Sequence, residues 1–297
     1  GIGDVYQYTD SDGYTVIRIT GDCSSWNWAA PDGLDEFEVL VVGGGGGGGF
    51  GNAAGGGGGG AVLYQHYTGI NINGTLGLQN SIFQVLPGGQ GLGSTNVNQQ
   101  GGNGIESSFS GPSFDYTGGN TFNALSAAGG GGGGSSSSNS SDREGSIGAS
   151  GGGGAAFGSN GSPGGDASNG NNGGTGFAQS YGGAGAGGGG ADSEGSNGSG
   201  NSSTMTSGAG GNGLLQTISG ENIFYGAGGG GTSSGATVNE PGMGGSKYTS
   251  GGTTFYAGGR GNNTGKGLPA TTYGSGGGAG RTGGSDGFQG VVYIRYP

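Results

Sequence analysis

Residues 36–67 read EFEVLVVGGGGGGGFGNAAGGGGGGAVLYQHY. Two apolar runs with strand character bracket glycine tracts of seven and six residues. Such a tract has no side chain to place in a hydrophobic core, and glycine loses more conformational freedom on ordering than any other residue. Whatever holds it must act on the backbone. Further tracts are bounded by Gly129 and Gly134, Gly151 and Gly154, Gly187 and Gly190, and Gly228 and Gly231, as the first two are by Gly43 and Gly49 and by Gly55 and Gly60. Patches rich in Ser, Asn and Asp separate them. A Gly/Ser linker behaves as random coil and needs no such punctuation.

Glycine supplies 92 of 297 residues, and Leu, Ile, Val and Phe together only 44. Those proportions match low-complexity or disordered chains, yet the high charge that accompanies disorder is missing, with 8% of residues charged. Collagen requires a strict Gly-X-Y period and abundant proline; uninterrupted glycine runs and seven prolines exclude it. A net charge of −11 argues against nucleic acid as a partner. The charge is also polarised: residues 1–38 carry a net −7 and residues 241–297 a net +4. These ends either meet within one domain or join successive subunits head to tail. Cys23 is the only cysteine, so no intrachain disulfide can form. No apolar run approaches the ~18–20 residues of a membrane span, so membrane insertion is not expected. The first residue is Gly1 rather than Met, as in a processed product or fragment.

The remaining texture is β. Residues 5–9 (VYQYT) and 14–20 (YTVIRIT) flank the turn signal DSDG and read as a hairpin. Strand patterns follow at 24–30, 37–42, 61–67 and 81–86, and again at 214–219, 222–225 and 291–296. No 3.6-residue apolar period is present. The expected class is all-β with essentially no α-helix: a small antiparallel, sandwich-like module carrying long glycine-rich insertions. Three regions are expected. Residues 1–125 form a mainly β module that includes the first glycine tracts at 43–60. Residues 126–287 form a glycine-rich bundle with a β insert at 214–225. Residues 288–297 form a closing strand that returns to the module.

Glycine runs can adopt the polyglycine-II conformation, an extended three-residue helix of the polyproline-II type rising ~3.1 Å per residue with no internal hydrogen bonds. Its N–H and C=O groups then point sideways, and without Cβ atoms neighbouring helices can approach until those groups pair. A six-residue tract would span roughly 19 Å, about the length of a strand. Ordering each residue costs about 1–2 kcal/mol, whereas a net hydrogen bond returns about 0.5–1.5 kcal/mol. A glycine bundle therefore needs a nucleus, which the flanking strands provide.

The ends of the chain carry a resemblance. Trp26-Asn27-Trp28-Ala29-Ala30-Pro31 leads into EVLVVGGGGGGG, and the chain closes with GGSDGFQGVVYIRYP. Together with the tracts at 37–60, 129–134 and 212–231, this resembles the glycine-rich domain proteins of marine phage and bacterial surfaces over essentially the whole length. By analogy it is similar to the distal tail-fibre adhesins of T-even-like phages, which have packed polyglycine-II helices whose loops recognise the host. The snow-flea antifreeze protein and the glycine-rich ectodomain of certain receptor tyrosine kinases are similar in their helices. This chain keeps no regular G-x-x period, has no disulfides and has no kinase.

Catalytic signals are weak. His66 is the only histidine and sits in a strand pattern. Gly283-Gly284-Ser285-Asp286-Gly287 matches G-x-S-x-G without the strand-to-helix turn of a nucleophile elbow. The G-x-G-x-x-G matches open no helix, and the residues around Lys266 fail the phosphate-loop pattern. Asp10-Ser11-Asp12-Gly13 begins like a calcium loop but lacks its later ligands. No enzyme activity, cofactor or metal site is expected. Glycosylation sequons stand at Asn73, Asn139, Asn160, Asn197, Asn201 and Asn262. The aromatic residues of the glycine-rich region, Phe157, Phe177, Tyr181, Tyr248, Phe255, Tyr256 and Tyr273, either pin the bundle or form a recognition surface on its turns. The functional expectation is an extracellular or virion-surface adhesin, in tail-fibre fashion, whose partner is a host surface protein or glycan. The alternatives are a filament subunit whose partners are copies of itself and an ice-binding protein.

Overall fold

A computed structural model describes residues 4–21, 25–72, 75–180, 182–201, 204–234, 238–240, 242–250 and 253–297, with 238–240, 247–250 and 253–255 described in backbone only. Nine strands form its folding nucleus: β1 (Val5–Thr9), β2 (Thr15–Thr20), β3 (Trp26–Ala29), β4 (Glu36–Val42), β5 (Val62–Thr68), β6 (Ile82–Leu86), β7 (Ser107–Ser110), β8 (Leu125–Ala127) and β9 (Val291–Tyr296). One antiparallel sheet has the order β1-β2-β9-β4-β5, and a second has β8-β7-β6-β3. The class is all-β; among the described residues the α-helix is the single turn Ser140–Arg143.

The run FEVLVV explains the centre of the first sheet. A strand with one wet face alternates in polarity; β4 is nearly continuous because both its faces are covered. Phe37, Val39 and Val41 face the second sheet, in a core with Ile17, Ile19, Val292, Ile294, Trp28, Phe83 and Phe109. Aromatic rings fill that space: Phe83 stacks on Phe109 with centroids 5.0 Å apart, and Phe37 lies 4.9 Å from Tyr67. Leu40 and Val42 face the other way, in a second core with Val16, Val291, Tyr293, Ile218 and Tyr225. The last two come from the hairpin Leu214–Gln216 and Ile223–Tyr225, which docks back on the sheet. Fully burying each such side chain contributes about 1.5–3 kcal/mol.

The carboxy-terminal strand lies between β2 and β4, so chain closure and sheet closure are one event. Arg295 there meets the amino-terminal acids. Its guanidinium contacts Asp10 at 2.7 Å, Asp12 at 3.2 Å and Glu38, and it lies 4.0 Å above the Tyr14 ring. The DSDG segment is a hairpin turn, with Asp10 Oδ1 accepting from the N–H groups of Asp12 and Tyr14 at 2.9 Å.

Glycine tracts rise from the edge of this sandwich. In the tract Gly43 to Gly49, the N–H groups of Gly43, Gly46 and Gly49 donate to the carbonyls of Ala61, Gly58 and Gly55. Those of Gly44 and Gly47 donate to Ile105 and Gly102, and those of Gly45 and Gly48 to Phe288 and Ser285. The carbonyls of Gly44 and Gly47 accept from Gly130 and Gly133, those of Gly45 and Gly48 from Gly91 and Ser94, and those of Gly46 and Gly49 from Gly277 and Gly280. All these bonds measure 2.8–3.2 Å. A strand alternates between two neighbours at a period of two. This tract repeats at three and has six neighbours, three antiparallel and three parallel. The tract Gly55 to Gly60 is likewise surrounded, donating to Gly134 and Gly131, Ala186 and Gly189, and Gly277 and Gly274. It accepts from Gly49 and Gly46, from Gly153 and Ser150, and from Gly229. The tracts of Gly187 to Gly190 and Gly228 to Gly231 interlock in the same way, with Gly188 donating to Gly229, Gly211 to Gly188 and Gly228 to Gly211.

The two textures interleave along the sequence and separate in space. Residues 43–60 and 88–105 belong to the glycine lattice, and its centre is the first pair of tracts. The 214–225 hairpin belongs to the sandwich core.

Two outcomes follow. A Cβ on Gly46 would lie 2.2 Å from the Gly131 carbonyl oxygen, whereas on peripheral Gly102 its nearest neighbour is 3.1 Å away. Gly46→Ala should therefore cost about 3 kcal/mol and Gly102→Ala less than about 1 kcal/mol, measured by urea unfolding. The second concerns acid. Burial alone would push the Asp10 carboxyl up; the Arg295 guanidinium and the N–H groups of Tyr14 and Asp12 outweigh it and hold it below its ordinary 3.8. A depressed carboxylate stabilises the fold above its unfolded value and ceases to do so as pH falls through the folded one. Melting temperature should fall below pH 3.8 more steeply in the native chain than in Asp10→Asn.

Candidate functional site

The lattice has two ends. Gly43 follows β4 and Ala61 precedes β5, so both central tracts start or finish at the sheet, and the turn at residues 50–54 joining them marks the far end. Neighbouring turns gather around it. Ser136 N–H donates to the Phe50 carbonyl at 2.9 Å, Ala156 N–H to Ala53 at 2.8 Å, and Phe50 and Asn262 each bridge to Gly280.

These turns enclose a cleft of 480 Å³, within the ~300–1,000 Å³ usual for ligand sites. Its floor is the turn 50–53, and its walls include Val97, Ser136, Phe157, Gln179 and Arg281. The floor is held from below. The hydroxyls of Ser135, Ser136 and Thr232 accept from the N–H groups of Phe50 (2.9 Å), Ala53 (2.8 Å) and Ala54 (2.9 Å). Thr232, fully buried, also donates to the Gly51 carbonyl at 2.9 Å. Buried Arg143 ties adjoining turns together, donating to the carbonyls of Ser137 and Ser138 at 3.0 and 2.9 Å and to the Ser162 hydroxyl at 3.1 Å.

The aromatic residues singled out in the sequence do not form one surface. Phe157 lines the cleft and is 48% exposed. Phe177 is half-buried in the far-end hairpin Phe177–Gln179 and Gly182–Ala184, whose Gln179 lines the cleft. Tyr256 and Tyr273 lie at the sheet end. Thr271 donates to the Tyr256 carbonyl, and Tyr273 packs edge-on against Phe288 at 5.2 Å and against the second core. Tyr248 and Phe255 share the hairpin Lys247–Ser250 and Thr253–Tyr256, described in backbone only, and Tyr181 lies outside the described residues. The physical reason is the alternation of tract direction: each crossing of the lattice carries the chain to the opposite end. The far end also holds Phe50, Val97 and Arg281, which no local sequence signal groups with Phe157.

Of the sequons, Asn139, Asn160, Asn197 and Asn201 are exposed. The Asn262 amide is engaged in its own turn, donating to the Lys266 carbonyl at 2.9 Å and accepting from Thr264 and Gly265. Asn73 lies outside the described residues. His66 pairs with Glu36 at 3.1 Å on the exposed face of the first sheet. Several tyrosines of the sandwich and its docked hairpin have raised proton affinities. Burial, reinforced by the Glu38 carboxylate, pushes Tyr64 up to about 12; burial also pushes Tyr225 up to about 12 and raises Tyr67 and Tyr293. These are packed hydroxyls. Among the described residues no group of three or more His, Cys, Asp or Glu could hold a metal ion, and no helix is long and apolar enough to cross a membrane.

A family model described as a glycine-rich domain matches residues 20–297. The chain belongs to this family. Comparison with curated proteins returns no match. The span of the glycine-rich domain runs from the end of β2 through β9, so it takes in the second sheet, the centre of the first and the whole lattice. The matched span thus includes both sandwich and glycine tracts.

If the cleft floor depends on Thr232, then Thr232→Val leaves a buried N–H and a buried carbonyl unpaired. The expected loss is about 1–3 kcal/mol, with faster amide exchange at Gly51 to Ala54 than at Gly43 to Gly49.

Proposed function

We propose that the lattice is a bundle of polyglycine-II helices and that it serves as a stiff, non-enzymatic mount for a recognition surface at its far end. On this reading the protein is an extracellular adhesin of a virion or cell surface, of tail-fibre type, that grips a host surface protein or glycan. The observation that carries the proposal is the far-end cleft, whose floor is fixed by the buried hydroxyls of Ser135 and Thr232 and half-buried Ser136, while its walls include the exposed turn residues Val97, Phe157 and Arg281. Recognition usually sits on loops positioned by a rigid scaffold, and a preformed floor lowers the ordering cost of binding. The three-residue hydrogen-bond period and the six-neighbour packing support the helix assignment.

A second reading, self-assembly into a filament, is favoured by one observation. Among the described residues β1 is an edge strand, with Val5 42% and Tyr6 56% exposed, which leaves one side open to a further strand. Sedimentation separates the two. Growth with concentration that Val5→Lys abolishes would support the filament, and a monomer at all concentrations would remove it.

The adhesin reading is tested by flow cytometry of fluorescently labelled protein on a panel of bacterial cells. Phe157→Ala, with unchanged melting, should weaken binding about ten-fold or more, as expected for an aromatic anchor. Undiminished binding by Phe157→Ala would move recognition away from the far end.

A further inference from the structure

We infer that the far-end cleft takes a saccharide bearing a carboxylate, such as the uronic acid of an acidic polysaccharide, with Arg281 as the group that selects the acid. The inference rests on the far end being the recognition surface and names the ligand that surface fits.

Charge comes first. The chain carries 18 acids against seven bases, yet among the described residues no Asp or Glu lines this cleft. Arg281 stands at its wall, exposed, and among the described residues no carboxylate lies within ion-pair distance of it. By contrast, Arg295 in the sandwich meets three acids. An exposed, unpaired guanidinium in an acid-free cleft favours an anion, and its planar fork matches the two oxygens of a carboxylate.

Polar capacity comes second. Asn52, Gln179 and Ser180 line the same cleft, and none engages another described residue through its side chain. Amides and hydroxyls both donate and accept, which is what the hydroxyls of a sugar ring require. The third element is apolar. Phe157 at 48% and Val97 at 36% exposure, with half-buried Phe50, give a face against which the C–H side of a sugar ring can lie. A purely apolar ligand would leave the amides and the guanidinium desolvated and unpaired. A cation would meet Arg281. A hydroxyl-rich anion satisfies all three sets of groups.

The test is isothermal titration of the full chain with three probes: a galacturonic acid trisaccharide, its neutral galactose counterpart, and a sulfated galactose trisaccharide. The galacturonate should bind about ten-fold or more tightly than the neutral sugar, the increment expected of one charged hydrogen-bonded pair. Arg281→Gln should erase that preference, and Phe157→Ala should abolish binding of both sugars. The Arg281 side chain makes no ion pair or hydrogen bond with the described residues, so Arg281→Gln should keep its native melting temperature. Equal affinity for acidic and neutral sugars, a preference that survives Arg281→Gln, or tighter binding of the sulfate ester would each overturn the carboxylate assignment. Loss of cell binding on Phe157→Ala, with none of the three sugars bound, would overturn the saccharide while leaving the far-end reading in place. Cell binding unaffected by either substitution would overturn both.

Discussion

The structure depends on backbone hydrogen bonds made between glycine tracts that have no side chain to keep them apart. Around Gly43 to Gly49, donors and acceptors reach six neighbouring tracts, each at every third residue. The geometry leaves no room for substitution: a Cβ on Gly45, Gly46, Gly47 or Gly48 would lie 2.1–2.2 Å from a neighbouring carbonyl oxygen. Backbone polar groups that would be costly to bury unpaired become the packing surface. The interior of this part of the protein is therefore polar and satisfied rather than apolar.

Such an interior does not nucleate itself. Each hydrogen bond is shared between two residues, and one net bond per residue roughly offsets the entropy of ordering that residue. The sandwich supplies the excess. It buries Trp28, Phe37, Phe83 and Phe109 in one core and Leu40, Tyr225 and Tyr293 in the other, and it fixes where the central tracts begin and end. The arrangement is reciprocal. The hairpin carrying Ile218 and Tyr225 enters the second core only because the lattice returns it to the sheet, and Gly274, with φ of 72°, turns the chain from that core into a tract. A Cβ on Gly274 would lie 2.5 Å from the Val42 side chain, so the turn is closed to other residues on both counts.

The strands were legible because they carry ordinary signals. Trp26–Ala29, Glu36–Val42, Ile82–Leu86 and Val291–Tyr296 follow from apolar, β-branched and aromatic runs ending at Gly or Pro. The three-residue spacing of lattice bonds is a property of extended glycine and needs no sequence period of its own, which is why irregular tracts suffice. What the sequence hides is which tracts are neighbours. Glycines carry no labels, so nothing local distinguishes Gly130, which donates to Gly44, from Gly153, which donates to Gly56. The same blindness scattered the aromatic residues: Phe157 and Tyr273 look alike in sequence and sit at opposite ends of the lattice. Arg281 was legible only as one more base in a positively charged tail; its position in an acid-free cleft is a result of the tertiary structure.

The division of labour has a consequence for how the far end should be read. In a conventional core, surface loops constrain folding through the side chains that anchor them. Here most of the anchoring falls to backbone groups and to a few side chains, chiefly buried Ser135, Thr232 and Arg143 with half-buried Ser136. Asn52, Val97, Phe157, Gln179 and Arg281 make little or no contribution to that anchoring. An exposed phenylalanine opposes solubility, and an unpaired arginine adds no native contact, so neither identity is explained by the fold. Side chains placed together on a rigid support, with no structural need for their chemistry, are best explained by what approaches from outside. That contrast, between hydroxyls that the fold requires and exposed groups that it does not, is the physical basis on which the proposed recognition surface is placed at this end rather than along the flanks of the lattice.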